Sequence, residues 1–224
     1  ISALGMDPIE KKPLYHFYPG RMILSVGTVG CNLGCDFCQN FHLVRAEVPT
    51  DNAAPEDIVN AAIRKNSFGI AYTYNEPFIS YEFVLDCCKK AREEGVKNVL
   101  VTNGFYNPKP FEELLPYVDA MNIDLKAIRD DFYKNLCNGR LGPVKKTIER
   151  AVESPCHVEL TTLIITGEND SDEDLAELVD YVASLDKNIP LHFSAYRPMY
   201  KRDNPPTSRA RLEKAYEFGT AKLN

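Results

Sequence analysis

The sequence predicts an α/β fold built on a parallel sheet. Short apolar segments rich in Val, Ile, Leu and aromatic residues recur along its 224 residues, and helical patterns lie between them. No linker, low-complexity tract or internal repeat divides the chain. Strand and helix alternate six times, which suits an open sheet or a closed or partial barrel, and periodicity does not choose between these. In either arrangement, functional groups collect on the loops that follow the C-terminal ends of the strands.

The first expected strand covers residues 22–27, after a Pro-rich lead containing Pro8, Pro13 and Pro19. Further strands are expected at 69–74, 98–102, 121–125, 157–165 and 190–195, each short, apolar and β-prone. Of the helices, the first opens on Pro55 and places Ile58, Val59, Ala62 and Ile63 on one face. A longer one spans 78–94 and stops at Gly95, and weaker patterns cover 110–117 and 143–152. The clearest runs over 171–185. Ser171 can cap it with Asp174 three residues on, and Leu175, Leu178, Val179, Val182 and Leu185 share a face. A last helix begins near Thr207 and runs to the end of the chain.

Apolar and charged fractions of 44% and 26% are those of a globular protein, which argues against a disordered or fibrous class. A formal charge of −6 supplies no long-range attraction to nucleic acid or anionic lipid, so neither is an expected partner. No apolar run approaches the roughly 18 residues that span a bilayer, and the N-terminus lacks a signal-peptide layout. The expected location is the cytoplasm. Seven cysteines are too few for a disulfide scaffold at this length, and three of them crowd into residues 31–38, which points to metal ligation.

Those three are Cys31, Cys35 and Cys38, in the stretch Gly30-Cys31-Asn32-Leu33-Gly34-Cys35-Asp36-Phe37-Cys38 directly after the first strand. Gly30 and Gly34 permit the backbone angles that wrap a short loop around a metal centre. Thiolates suit iron–sulfur clusters or zinc, and a closed centre usually has four protein ligands where this loop supplies three. The missing ligand is a distant side chain or an open coordination position, and an open position implies chemistry. Structural zinc and a buried cysteine trio are the plainer alternatives. Cys87, Cys88, Cys137 and Cys156 are assigned to packing.

Cys31-x-x-x-Cys35-x-Phe37-Cys38 resembles the CxxxCxΦC signature of the radical S-adenosylmethionine superfamily. The resemblance implies a (β/α)6 partial TIM-type barrel of parallel strands with outer helices. It also implies a 4Fe-4S cluster on the three cysteines, with S-adenosylmethionine on the fourth iron and Phe37 near the adenine. Tyr74-Asn75-Glu76-Pro77 ends the second strand and is similar to the family's Gly-Gly-Glu type motif, so Glu76 with Asn75 would bind the amino group. Val101-Thr102-Asn103-Gly104 resembles the Asp-Thr-Asn-Gly stretch of glycyl-radical activating enzymes, with Val101 in place of the Asp and Asn103 as a candidate. Asn122-Ile123-Asp124-Leu125-Lys126 resembles their Leu-Asp-Ile/Leu-Lys motif, in which Asp124 and Lys126 would hold ribose and carboxylate. Alternation puts these two on one face. At the last strands, His192 or the Tyr196-Arg197 pair would face nucleotide or substrate, although a single histidine in a strand is more often a hydrogen-bonded core residue.

Residues 7–20, Gly27-Thr28-Val29-Gly30-Cys31 and Tyr74-Asn75-Glu76-Pro77 together look like the radical enzyme of the AmmeMemoRadiSam group, which is often labelled pyruvate formate-lyase activating-like. Arg197 stands where that group has His before Pro198. The chain opens on Ile1 and stops in a helical pattern, so residues 1–224 are expected to be one radical core without the group's N-terminal segment and C-terminal tail. The function implied is reductive cleavage of S-adenosylmethionine to a 5′-deoxyadenosyl radical. The radical would take hydrogen from a small molecule or a glycyl residue of a partner protein, after electron delivery by ferredoxin or flavodoxin. An iron–sulfur electron-transfer or structural zinc module is the alternative, and a non-catalytic scaffold is a third.

Overall fold

The computed structural model describes residues 1–45 and 47–224. Among these residues seven strands form one sheet in sequential order: β1 (Ala3–Pro8), β2 (Met22–Gly27), β3 (Gly69–Tyr72), β4 (Lys97–Thr102), β5 (Ala120–Asp124), β6 (His157–Ile164) and β7 (Leu191–Ala195). From β2 to β7 every neighbour pair is parallel, while β1 runs antiparallel to β2. Helices α1 (Phe41–Arg45) and α2 (Pro55–Arg64) follow β2, α3 (Tyr81–Glu93) follows β3, and α4 (Pro108–Leu114) follows β4. Then α5 (Asp130–Leu136) and α6 (Leu141–Val152) follow β5, α7 (Asp172–Leu185) follows β6, and α8 (Arg209–Thr220) follows β7. Strands added always on the same side through right-handed crossovers place their helices on one face, which winds the sheet toward a barrel. The α/β partial barrel expected from the sequence is therefore present, with an additional edge strand.

That edge, β1, lies in the stretch expected to be a Pro-rich lead. Gly5 and Pro8 weaken its strand signal, and an edge position tolerates both because its outer side needs no ladder donors. Two short helices, α1 and α5, were also not expected. The 78–94 pattern divides into a 3-10 turn (Pro77–Ser80) and α3. Ser171 caps α7 as anticipated, its hydroxyl accepting from the Asp174 N–H at 3.0 Å.

The strands are apolar on both faces because both are covered. Leu24, Ile70, Leu100, Met121, Ile123 and Leu160 meet the helices in the main core. Their neighbours Ile23, Ala71, Val99 and Ala120 point the other way, where Ile9 and Leu14 pack on them. The chain between β1 and β2 thus passes inside the barrel and plugs the end at which the strands begin. Polar groups of the barrel interior hold the plug. Asn122 Nδ2 donates to Pro13 O at 2.9 Å, and Glu159 accepts from the N–H groups of Tyr15 and His16 at 3.0 and 2.8 Å.

Within the plug Lys12 is 1% exposed, paired with Asp7 at 2.8 Å and set over the Tyr74 ring at 4.6 Å. Asp7 also accepts from Lys11, Ser25 and Tyr74. Burial works against the Asp7 charge, but these bonds, Lys12 first, hold its carboxyl far below the ordinary 3.8. Its contribution to stability is therefore complete above that pH and lost as the pH falls below it. Asp7→Asn strands a buried ammonium and is expected to cost about 3–5 kcal/mol in urea unfolding at pH 7.

Candidate active site

The three cysteines lie in the loop between β2 and α1, and neighbouring elements fix that loop. Gly30 has φ +89°, a value only glycine adopts freely, whereas Gly34 has no such need. The Gly34 N–H donates to Cys137 O at 2.7 Å and the Asp36 N–H to Leu136 O at 2.9 Å, which seats the loop on the end of α5. Leu33 packs so closely on the next turn that a Cβ at Gly139 would lie 2.5 Å from Leu33 Cδ2. At the front of the loop, Asn75 accepts from the Thr28 N–H at 3.0 Å and donates to Thr28 Oγ1 at 2.8 Å and Gly30 O at 3.0 Å. With its amide engaged in this way, Asn75 sets the path of the chain into Cys31.

The candidates from the cysteine loop and the next three strand ends line one cavity of about 430 Å³: Cys31, Cys35, Phe37, Cys38, Asn75, Glu76, Asn103, Asp124 and Lys126. It lies at the C-terminal ends of the strands, where parallel sheets gather their chemistry. Phe37 is largely buried, its ring 5.7 Å from that of Phe132. Asn103 Nδ2 donates to Asn32 Oδ1 at 2.8 Å and approaches the Cys31 sulfur at 3.5 Å. Burial pushes the Cys31 thiol up to about 11. Cys35 moves the other way, lowered chiefly by a hydrogen bond from the Cys137 thiol and, against burial, by the Lys126 charge.

Glu76 is 2% exposed, and its carboxylate collects three donors: Thr102 Oγ1 at 2.8 Å, the Asn103 N–H at 2.8 Å and the Phe78 N–H at 3.2 Å. Burial raises it to about 7 although those bonds pull it down. The residue before it but one, Tyr74, has φ +76°, a strained value for a non-glycine residue beside a cavity. Across the cavity Lys126 Nζ and Asp124 Oδ2 are 2.7 Å apart. The ammonium stays well above its ordinary pKa because the charges of Asp124, Cys35 and Cys137 outweigh its desolvation.

Three further participants were not found from sequence. Thr102 braces Glu76, Cys137 lowers the pKa of the Cys35 thiol, and the Tyr133 hydroxyl accepts from the Lys126 N–H at 2.9 Å. Thr102 stood inside a quoted motif without a role, and Tyr133 lies within, and Cys137 at the end of, a helix too short to show periodicity. His192 does not join the cavity, because its Nε2 lies 2.6 Å from Glu159 nearer the start of the strands. Tyr196 is buried, with its hydroxyl on Arg202 O. A second cavity, of about 560 Å³, lies among residues preceding β4, β5 and β6. Four of its charged groups pair, Lys97 with Asp119 and Arg150 with Glu112, and the Arg92 guanidinium donates to Pro116 O.

The donor set suits a thiolate-bound cluster with one open iron and a zwitterionic nucleoside beside it. Three soft sulfurs occupy one wall, a carboxylate and an Asp/Lys pair occupy others, and the volume falls within the roughly 300–1,000 Å³ of small-molecule sites.

Comparison with known proteins agrees. The profile of the radical S-adenosylmethionine superfamily matches residues 25–182. The chain belongs to that superfamily. Members use a 4Fe-4S cluster together with S-adenosylmethionine. An uncharacterised protein of Methanocaldococcus jannaschii is 44% identical over 220 residues, covering 96% of this chain. The pyruvate formate-lyase-activating enzyme of Staphylococcus epidermidis is 24% identical over 171 residues, covering 71% of it. The chain spans 65% and 68% of those relatives' lengths. Among solved structures, Streptococcus suis SuiB bound to S-adenosylmethionine superposes with a TM-score of 0.68 at 17% identity, over 88% of this chain and 48% of SuiB. A domain of the pyruvate-formate lyase-activating enzyme of Bacteroides vulgatus gives 0.60 at 20% identity, over 69% of this chain and 94% of that domain. No helix among the described residues is long and apolar enough to cross a membrane.

Proposed function

We propose that this protein is a radical enzyme of the activating type, with Cys31, Cys35 and Cys38 as the cluster ligands and S-adenosylmethionine bound in the same cavity. One observation carries the reading: three thiols, the buried Glu76 and the Asp124–Lys126 pair converge on a single cavity at the strand ends. When bound, the cluster and S-adenosylmethionine supply reductive cleavage to methionine and a 5′-deoxyadenosyl radical that abstracts hydrogen.

The chain's own groups bind, orient and exclude water. Glu76 accepts an N–H of the methionine amino group, and Thr102 with the Asn103 N–H keeps the carboxylate aimed. Lys126 takes the carboxylate and Asp124 a ribose hydroxyl. Phe37 offers an apolar wall to the adenine, and Asn75 sets the loop. Asn103 adds a donor near the Cys31 sulfur, which tunes the potential of a cluster bound there. The hydrogen donor is a glycyl residue of a partner protein on the similarity to activating enzymes, with a small molecule as the other class. Ferredoxin or flavodoxin supplies the electron, in the cytoplasm.

The test is anaerobic reconstitution with iron and sulfide, then dithionite and S-adenosylmethionine, with chromatographic assay of 5′-deoxyadenosine. Product is expected; none from protein carrying a full cluster would overturn the reading.

A further inference from the structure

Three of the chain's four histidines gather around one buried carboxylate, outside the cysteine cavity. Glu159 on β6 is fully buried. Its Oε1 accepts from the His16 N–H at 2.8 Å and lies 2.9 Å from His157 Nε2. Its Oε2 accepts from the Tyr15 N–H at 3.0 Å, with His192 Nε2 at 2.6 Å and His16 Nδ1 at 3.5 Å.

A carboxylate presents about four lone-pair directions. Two backbone N–H groups and His157 take three, so two imidazole nitrogens, from the plug and from β7, converge on what remains. A hydrogen bond can use that direction for one of them. A cation can serve both, because neutral imidazoles turn lone pairs, not protons, toward it.

We propose that His16, Glu159 and His192 form a binding site for a divalent transition-metal ion, separate from the cluster. One ligand atom from each residue lies within 4.8 Å of the other two. Metal bonds of about 2.0–2.1 Å set tetrahedral ligand atoms roughly 3.3 Å apart, and the 2.6 and 3.5 Å contacts of Glu159 Oε2 bracket that edge. Two imidazoles and a carboxylate select zinc, iron(II) or cobalt(II) over magnesium or calcium. His16 is 62% exposed at its side chain, so water completes the coordination. The ion joins the plug to the last strand, and binding to the folded state alone raises the melting temperature.

The test titrates cobalt(II) into the full chain carrying Cys31→Ala, Cys35→Ala, Cys38→Ala and Cys156→Ala, which removes every thiol outside the buried core. It needs no cluster, so its result is independent of the radical reading. One equivalent is expected to give visible d–d bands without sulfur-to-cobalt charge transfer, and a higher melting temperature. His16→Ala, an exposed side chain whose backbone bond to Glu159 survives, should weaken cobalt at least about tenfold while leaving metal-free melting unchanged. His192→Ala should abolish the bands. Absence of a saturable signal, or one that His16→Ala leaves unchanged, overturns the proposal.

Discussion

Cys35→Ala abolishes cluster assembly and lowers 5′-deoxyadenosine formation to the background of the apoprotein. This is the largest effect expected, because two thiolates leave too few ligands for the site. Cys35 stands between the cavity and the protein interior, with the Cys137 thiol behind it. That neighbour makes the competing electron-transfer reading testable, since such a module needs a fourth protein ligand. Cys137 is 0% exposed and does not line the cavity, so under the proposed function it would not be a ligand and one iron would stay open. Cys137→Ala should therefore keep the full iron content after reconstitution and keep 5′-deoxyadenosine formation. Loss of iron in that variant equal to the loss in Cys35→Ala would make Cys137 a ligand and favour the closed, electron-transferring centre.

How far the site could be read from sequence depended on how local its signals are. The cysteine spacing, the Glu76 motif and the Asp124–Lys126 alternation each sit within a few residues at a strand end, and all of them meet in one cavity. Cys137, Thr102 and Tyr133 act through contacts with residues 102, 26 and 7 positions away, and no local pattern announces such pairings. The fold divides in the same way. Six parallel strands, all but the half-exposed β7 largely buried, advertise themselves as apolar runs, whereas β1 is a half-exposed edge and the plug behind it centres on Lys12. A buried lysine in a Pro-rich stretch reads as surface until Asp7, Tyr74 and Ser25 are seen around it. His192 is the hydrogen-bonded strand histidine, and not the ligand-facing one, for a related reason. Alternation gives the face of a strand but not the height along it, and Glu159 draws His192 toward the plugged end.

Glu76→Gln should raise the Kd for S-adenosylmethionine, measured calorimetrically on reconstituted protein, while leaving iron content intact. Losing one charge-assisted hydrogen bond costs about 1.5–3 kcal/mol, roughly 10- to 100-fold in Kd. The amide also turns an N–H group toward donors that the carboxylate accepts, Thr102 Oγ1 or the Asn103 N–H. The pH profile separates Glu76 from the ligand's own amine. Burial raises this carboxyl to about 7 from 4.5, so in the free protein it is protonated below neutrality and cannot accept from the amino group. Affinity is expected to be flat above pH 7 and to fall about tenfold per unit below it, and the glutamine variant should lack that inflection. The same shift fixes the sign for stability. The raised pKa adds stability that is complete below pH 4.5 and is lost as the pH rises through about 7. Unliganded protein then carries at pH 8 a buried anion whose three donors only partly offset its desolvation, and S-adenosylmethionine, by supplying a further donor, should raise the melting temperature of wild type more at pH 8 than at pH 6. A profile identical in wild type and Glu76→Gln would remove Glu76 from the ligand contact and leave it as a brace for the Thr102–Asn103 turn.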